Sequence, residues 1–236
     1  MRNRKVLEGI SVNKLEERIV GYSFKSTKRH GKYLFINLKD FTWMVFHFGM
    51  TGNLKYFKYP DKEPSYSRLS FNFVNGYHLV YISQRMLGRI RLVNDIGQFI
   101  HNKKLGPDAL KIDFRTFKKI MKRGRGSIKS SLVNQKLIAG IGNIYSDEIL
   151  FHSHIHPMSN VKQMNDEKIK KIFYKIKNIL QTAINCRANP KLFPKTYLFH
   201  YRKKGSKCPY CGEEVKRIKI SGRSSYYCPR CQNKMV

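Results

Sequence analysis

Alternating apolar and polar positions dominate the chain from about Ile19 to Asn94. Lys32-Tyr-Leu-Phe-Ile-Asn-Leu38, Thr42-Trp-Met-Val-Phe-His47 and Arg68-Leu-Ser-Phe-Asn-Phe-Val74 each read as a β-strand. Asn75-Gly76 predicts a tight hairpin joining the last of these to Tyr77–Ser83. Strands in direct succession imply an antiparallel sandwich or barrel, preceded by a short helix over Asn13–Arg18. After Gly106-Pro107 the period changes to that of helices. Asp113 is placed to cap Phe114–Arg123, Ser127 to open a helix reaching about Leu137, and Asn143 to cap Ile144–Phe151. Ile169, Ile172, Phe173, Ile176, Ile179, Leu180, Ala183 and Ile184 form one helical stripe that ends at Asn189-Pro190. A basic connector, Lys191–Lys207, leads to the cysteine-bearing tail. These changes of texture predict domains over 1–106, 107–200 and 201–236.

Composition adds a partner class. The 236 residues are 41% hydrophobic, enough for an ordinary core, but Lys and Arg number 47 against 15 acids, a formal charge of +32. Such a charge favours a polyanion as partner, and basic residues interleaved with aromatics, as in Lys55-Tyr-Phe-Lys-Tyr59 and His200-Tyr-Arg-Lys-Lys204, suit nucleic acid. A ribosomal or membrane-surface protein is the plainer alternative. No apolar run has the length to span a bilayer, and Met1-Arg-Asn-Arg-Lys5 is followed by no signal-like stretch. An intracellular setting, in the cytoplasm or nucleoid and away from membranes, is therefore expected.

Two patterns carry chemistry. Cys208-Pro-Tyr-Cys211 and Cys228-Pro-Arg-Cys231 are two Cys-x-x-Cys knuckles at a spacing that fits a hairpin around tetrahedral Zn2+. Disulfides are the alternative, with Cys186 left over. Gly140-Ile-Gly142, between two helical patterns, lets the backbone approach a phosphate at a helix start, with Asn143 and Lys129 as helpers. A turn built for packing alone fits the same pattern.

Gly140-Ile-Gly-Asn-Ile-Tyr-Ser-Asp-Glu-Ile-Leu-Phe151, followed by Ile155-His-Pro157, resembles the helix-two-turn-helix signature of the formamidopyrimidine-DNA glycosylase and endonuclease VIII family. Gly31-Lys-Tyr-Leu34, His47-Phe-Gly-Met-Thr-Gly52, Arg85-Met-Leu-Gly88 and Leu105-Gly-Pro-Asp-Ala-Leu110 resemble its other landmarks in order, and the tail resembles its zinc finger. The resemblance implies an α+β fold: an antiparallel β-sandwich, a helix-two-turn-helix DNA-binding domain and a zinc-finger β-hairpin. It implies a base-excision DNA glycosylase and AP lyase acting, as a monomer, on damaged double-stranded DNA, with a noncatalytic binder of damaged or abasic DNA as the alternative. Residue by residue, Lys32 matches a strand lysine that supports strand cleavage. Lys129, Asn143 and Arg223 match phosphate contacts. Met50, Arg85 and Leu87 match the trio that fills the gap left by an extruded nucleotide. Ser83-Gln84 replaces the usual Asp-Pro before the arginine, and Leu87 a bacterial phenylalanine.

The family's nucleophile is an N-terminal proline followed by glutamate. Here position 2 is Arg2 and the first proline is Pro60, so the sequence reads as one lacking that opening segment, and the activity of this form is expected to suffer. Glu8, Glu16 and Glu17 read as solvated residues around the first helix.

Overall fold

The computed structural model describes residues 4–39, 41–58 and 60–233. The chain forms two compact units, Met1–Lys104 and Leu105–Val236. Position 2 lies outside the described residues.

In the first unit, α1 (Val12–Ile19) starts at Ser11, whose hydroxyl accepts from Lys14 N–H, and is followed by seven strands. β1 (Ser26–His30), β2 (Tyr33–Lys39), β3 (Thr42–His47) and β7 (Arg89–Val93) form one antiparallel sheet in the order β1-β2-β3-β7. β4 (Asn53–Lys58), β5 (Ser67–Asn72) and β6 (Tyr77–Ile82) form the other, in the order β4-β6-β5. Ile36, Leu38, Met44, Phe46 and Ile90 of the first sheet bury against Leu69, Phe71 and Tyr81 of the second. This is the sandwich interior. The other face of β2 is covered too, because Phe99 of α2 (Ile96–Asn102) packs edge-on against Tyr33 and Phe35. Burial on both faces explains why β2 reads as a nearly unbroken apolar run.

The Asn75-Gly76 turn differs from expectation. Phe73 N–H donates to Tyr77 O and Gly76 N–H to Phe73 O, so the loop has three residues, with Gly76 at φ +77° and Asn75 outside the positive-φ region. It is a three-residue loop closed by a left-handed glycine, a class next in frequency to the two-residue hairpin.

The second unit contains α3 (Phe114–Arg123), α4 (Ile128–Val133), α5 (Asn143–Ser153), α6 (Asp166–Asn185) and the hairpin β8 (Lys216–Ile220) and β9 (Arg223–Tyr227). Asp113 and Ser127 cap α3 and α4 as their residue types suggest. α4 stops at Val133, four residues short of the expected Leu137, because Asn134 is extended. α5 starts one residue early: Asn143 is its first residue, Gly142 is the cap, and no side chain caps it. Ile169, Ile172, Ile176 and Ile179 of α6 meet Phe117, Met121, Leu132, Ile149 and Leu150 in the core. Beneath it, Lys177 Nζ donates to the carbonyls of Ala109, Leu110 and Ile112 at 3.0, 2.7 and 2.7 Å. α5 packs on α6 and β9, which joins the hairpin to the helices.

Candidate nucleic-acid interface and metal centre

In the first unit the 48–52 turn and the 85–88 segment meet backbone to backbone. A Cβ on Gly49 would lie 2.7 Å from Gly88 N, and one on Gly88 1.8 Å from Tyr81 Oη and 2.5 Å from His47 O. Two glycines are needed because neither segment leaves room for a side chain. The contact sets Met50, Arg85 and Leu87 side by side. Arg85 Nη1 lies 3.5 Å from Met50 Sδ, and Arg85 N–H reaches Thr51 Oγ1 at 3.4 Å. Met50 is 71% exposed and Leu87 47%, which a core role for either does not explain. Arg89, which the sequence did not single out, donates to Met86 O at 2.9 Å and Gly88 O at 2.7 Å and so holds this segment from β7.

Lys32 sits in the two-residue turn between β1 and β2, before the first strand residue, and not on the strand as expected. It is exposed and close enough to His47 to act on it electrostatically. Burial, and then the charges of Lys32 and Lys103, hold the His47 imidazole below its ordinary pKa, and its Nδ1 accepts from Gly49 N–H. Glu8 corrects a second expectation. It is no solvated helix neighbour: its carboxylate pairs with Arg91 and, at 3.3 Å, with Lys103.

In the second unit, Lys129, Asn143 and Arg223 converge on the hairpin tip. Ser221 and Gly222 at φ +46° and +77° make a two-residue turn, and Ile220 pairs with Arg223, so the exposed arginine opens β9. Asn143 Nδ2 donates to Ser224 O at 2.9 Å, Lys129 Nζ approaches the same carbonyl at 3.4 Å, and Ser130 and Ser221 hydroxyls lie 2.9 Å apart. Lys129 is 1% exposed and forms an ion pair with the fully buried Asp147. Burial pulls its pKa down while Asp147 pulls it up. The expectation of a phosphate-facing Lys129 is therefore corrected, because its ammonium is directed inward at a carboxylate that sequence reading had passed over. Asp147 also accepts from Arg202, from Ser225 Oγ at 2.7 Å and from Tyr226 N–H at 3.1 Å.

Below the tip, Sγ atoms of Cys208, Cys211, Cys228 and Cys231 all lie within 4.8 Å of one another. Separations of 3.8 Å (Cys208–Cys231), 3.5 Å (Cys211–Cys228) and 3.4 Å (Cys211–Cys231) are close to the ~3.8 Å edge of a tetrahedron with Zn–S bonds of about 2.3 Å. The donor set fits zinc. Burial pushes Cys228 up to about 11, whereas a backbone N–H at Glu213 holds Cys211 down to about 7, so a cation must displace protons as it binds. Gln232 fixes the second knuckle, accepting from Cys228 N–H and donating to Ile155 O, both at 2.9 Å. Cys186 stays apart, its thiol directed at Leu192 O. Among the described residues no helix is long and apolar enough to cross a membrane.

Three family models match the chain: the formamidopyrimidine-DNA glycosylase N-terminal domain over 1–90, the formamidopyrimidine-DNA glycosylase H2TH domain over 105–191, and the zinc finger found in FPG and IleRS over 205–234. The formamidopyrimidine-DNA glycosylase of Pelotomaculum thermopropionicum is 34% identical, the match covering 97% of this chain and 88% of that protein. That of Protochlamydia amoebophila is 31% identical over 92% and 84%. Among solved structures, the Lactococcus lactis Fpg bound to DNA containing an abasic site superposes with a TM-score of 0.83 at 28% identity, covering 94% of this chain and 86% of that one. A MutM complex with DNA containing carbocyclic 8-oxo-G gives 0.83 at 29% identity, with the same coverage. Sandwich, helical unit and cysteine knuckles thus fall where models that together match most of the sequence place their domains, and the chain belongs to the formamidopyrimidine-DNA glycosylase family.

Proposed function

We propose that the protein binds double-stranded DNA as a monomer and acts in base excision on oxidised purines and the abasic sites they leave. The observation that carries this reading is the Met50, Arg85 and Leu87 cluster, a protruding apolar pair beside a guanidinium on a turn too tightly packed to fold away. Apolar side chains of this kind replace stacking when a nucleotide leaves the duplex, at a cost of about a few kcal/mol per step. Met50 and Leu87 fill the gap, and Arg85 faces the orphaned base. Arg223 and the uncapped N–H groups at the start of α5 hold phosphates, Lys129 and Asn143 keep the hairpin tip in place, and zinc fixes the hairpin's base. Lys32, exposed beside His47, supports the reaction by holding a phosphate near the sugar. The DNA lesions in complexes of its relatives, 8-oxo-G and FAPY-dG, support oxidised purines as the substrate class.

The test is equilibrium binding to intact, abasic and 8-oxoguanine duplexes. Met50→Ala should reduce the preference for abasic over intact DNA by about tenfold, equivalent to ~1.4 kcal/mol, with no change in the salt dependence. Equal losses on both duplexes would reject the wedge. Borohydride trapping on an abasic duplex, with the adduct located by peptide mass mapping, addresses Lys32: an adduct on Lys32 would make its amine the nucleophile, and an adduct on another amine leaves it the phosphate role.

A further inference from the structure

We propose that Asp147 is the positioning residue of the phosphate grip, acting on DNA through Arg223; this rests on the reading of Arg223 as a phosphate contact. A carboxylate offers about four lone-pair sites, and here four donors occupy them. Lys129 and the Ser225 hydroxyl take Oδ1, while Arg202 and Tyr226 N–H take Oδ2. These donors come from three segments distant in sequence: the start of α4, the connector after α6, and β9. One buried group therefore joins all three to α5.

Its effect reaches the tip through strand geometry. Side chains two apart on a strand share a face, so Arg223 and Ser225 point to the same side of β9. Fixing Ser225 and the Tyr226 amide sets the rotation and register of that strand. The second restraint, Lys129 and Asn143 on Ser224 O, acts on the intervening residue. Arg223 is paired through its backbone with Ile220 and opens the strand at an exposed turn, so the direction of its side chain follows from how Asp147 sets the strand. An asparagine at 147 keeps the volume but presents an NH2 group to donors that require an oxygen. The ion pairs with Lys129 and Arg202 would be lost with it.

The experiment is a double-mutant cycle on the full chain with zinc bound, reading affinity for an abasic duplex and its salt slope. Asp147→Asn should weaken binding about tenfold and make the slope shallower by about 0.9, as Arg223→Ala does, and the double variant should be no weaker than Arg223→Ala alone. Ser225→Ala, which leaves the charges in place, should give a smaller loss that also vanishes in the Arg223→Ala background. It serves if Asp147→Asn fails to fold. Losses that multiply in the double variants, or a salt slope unchanged by Asp147→Asn, would overturn the proposal and leave Asp147 a stabilising residue. An Arg223→Ala variant with unchanged affinity and slope would overturn the grip itself, and the positioning role with it.

Discussion

The wedge turn of the first unit and the hairpin tip of the second both display an arginine at a tight turn, but they are held by different forces. At the wedge, backbone presses on backbone with no room for a Cβ at Gly49 or Gly88, and Arg89 ties the segment to β7. At the tip, a buried carboxylate, two cations and four thiols do the work. Rigidity from steric contact is indifferent to salt and chelators, and at the wedge only His47, which accepts from Gly49 N–H, adds a sensitivity to acid. Rigidity from charge and metal is exposed to all of them.

The largest separation of the two regions should come from the metal. Structural zinc sites supply about 10–16 kcal/mol of apparent binding free energy, more than so small a hairpin gains from its own core. Cys228→Ser or chelation should abolish tight DNA binding while Trp43 fluorescence, the lone tryptophan and in β3 of the first unit, reports an unchanged fold. Next comes Lys129→Met, which leaves Asp147 buried with Arg202 as its remaining cation and should destabilise the second unit by about 3 kcal/mol in urea titrations. Trp43 should not sense it. Gly88→Ala reverses the pattern: the forced shift of Tyr81 should cost about 1–3 kcal/mol in the first unit and reduce the abasic preference, with zinc content unaltered. The smallest effect is acidic. The unfolded His47 takes up a proton near pH 6.5, whereas the folded ring, held low by burial and by Lys32 and Lys103, does so at lower pH. Stability of the first unit should therefore fall as pH drops through that window, and His47→Gln should flatten the dependence.

What the sequence disclosed follows from how local each signal is. The α6 stripe, the Asp113 and Ser127 caps and the cysteine knuckles are each written within a few turns or a short spacing, and they could be read directly. β1 could not: its residues Ser-Thr-Lys-Arg-His are largely exposed and show no alternation, and its pairing with β2 is what makes it a strand. Lys129 looks like any lysine in a first helical turn, because its partners Asp147 and Ser224 lie 18 and 95 residues away. Glu8 was obscure for the same reason, since Lys103 lies 95 residues further on. Charges are easy to count in a sequence, but their pairing depends on the fold.

Lys177 illustrates a practical use of that distinction. Half-buried, with three carbonyls accepting from its ammonium, it should meet amine-reactive reagents more slowly than a free surface lysine, and faster once the 109–112 turn comes loose. In a chain so rich in surface lysines, time-resolved acylation followed by peptide mass mapping would mark the exposed amines at once and Lys177 late. Its lag is a clock for breathing of the helical unit, and a lag that lengthens when DNA is added would reveal tightening at a point well removed from the hairpin's own reporters.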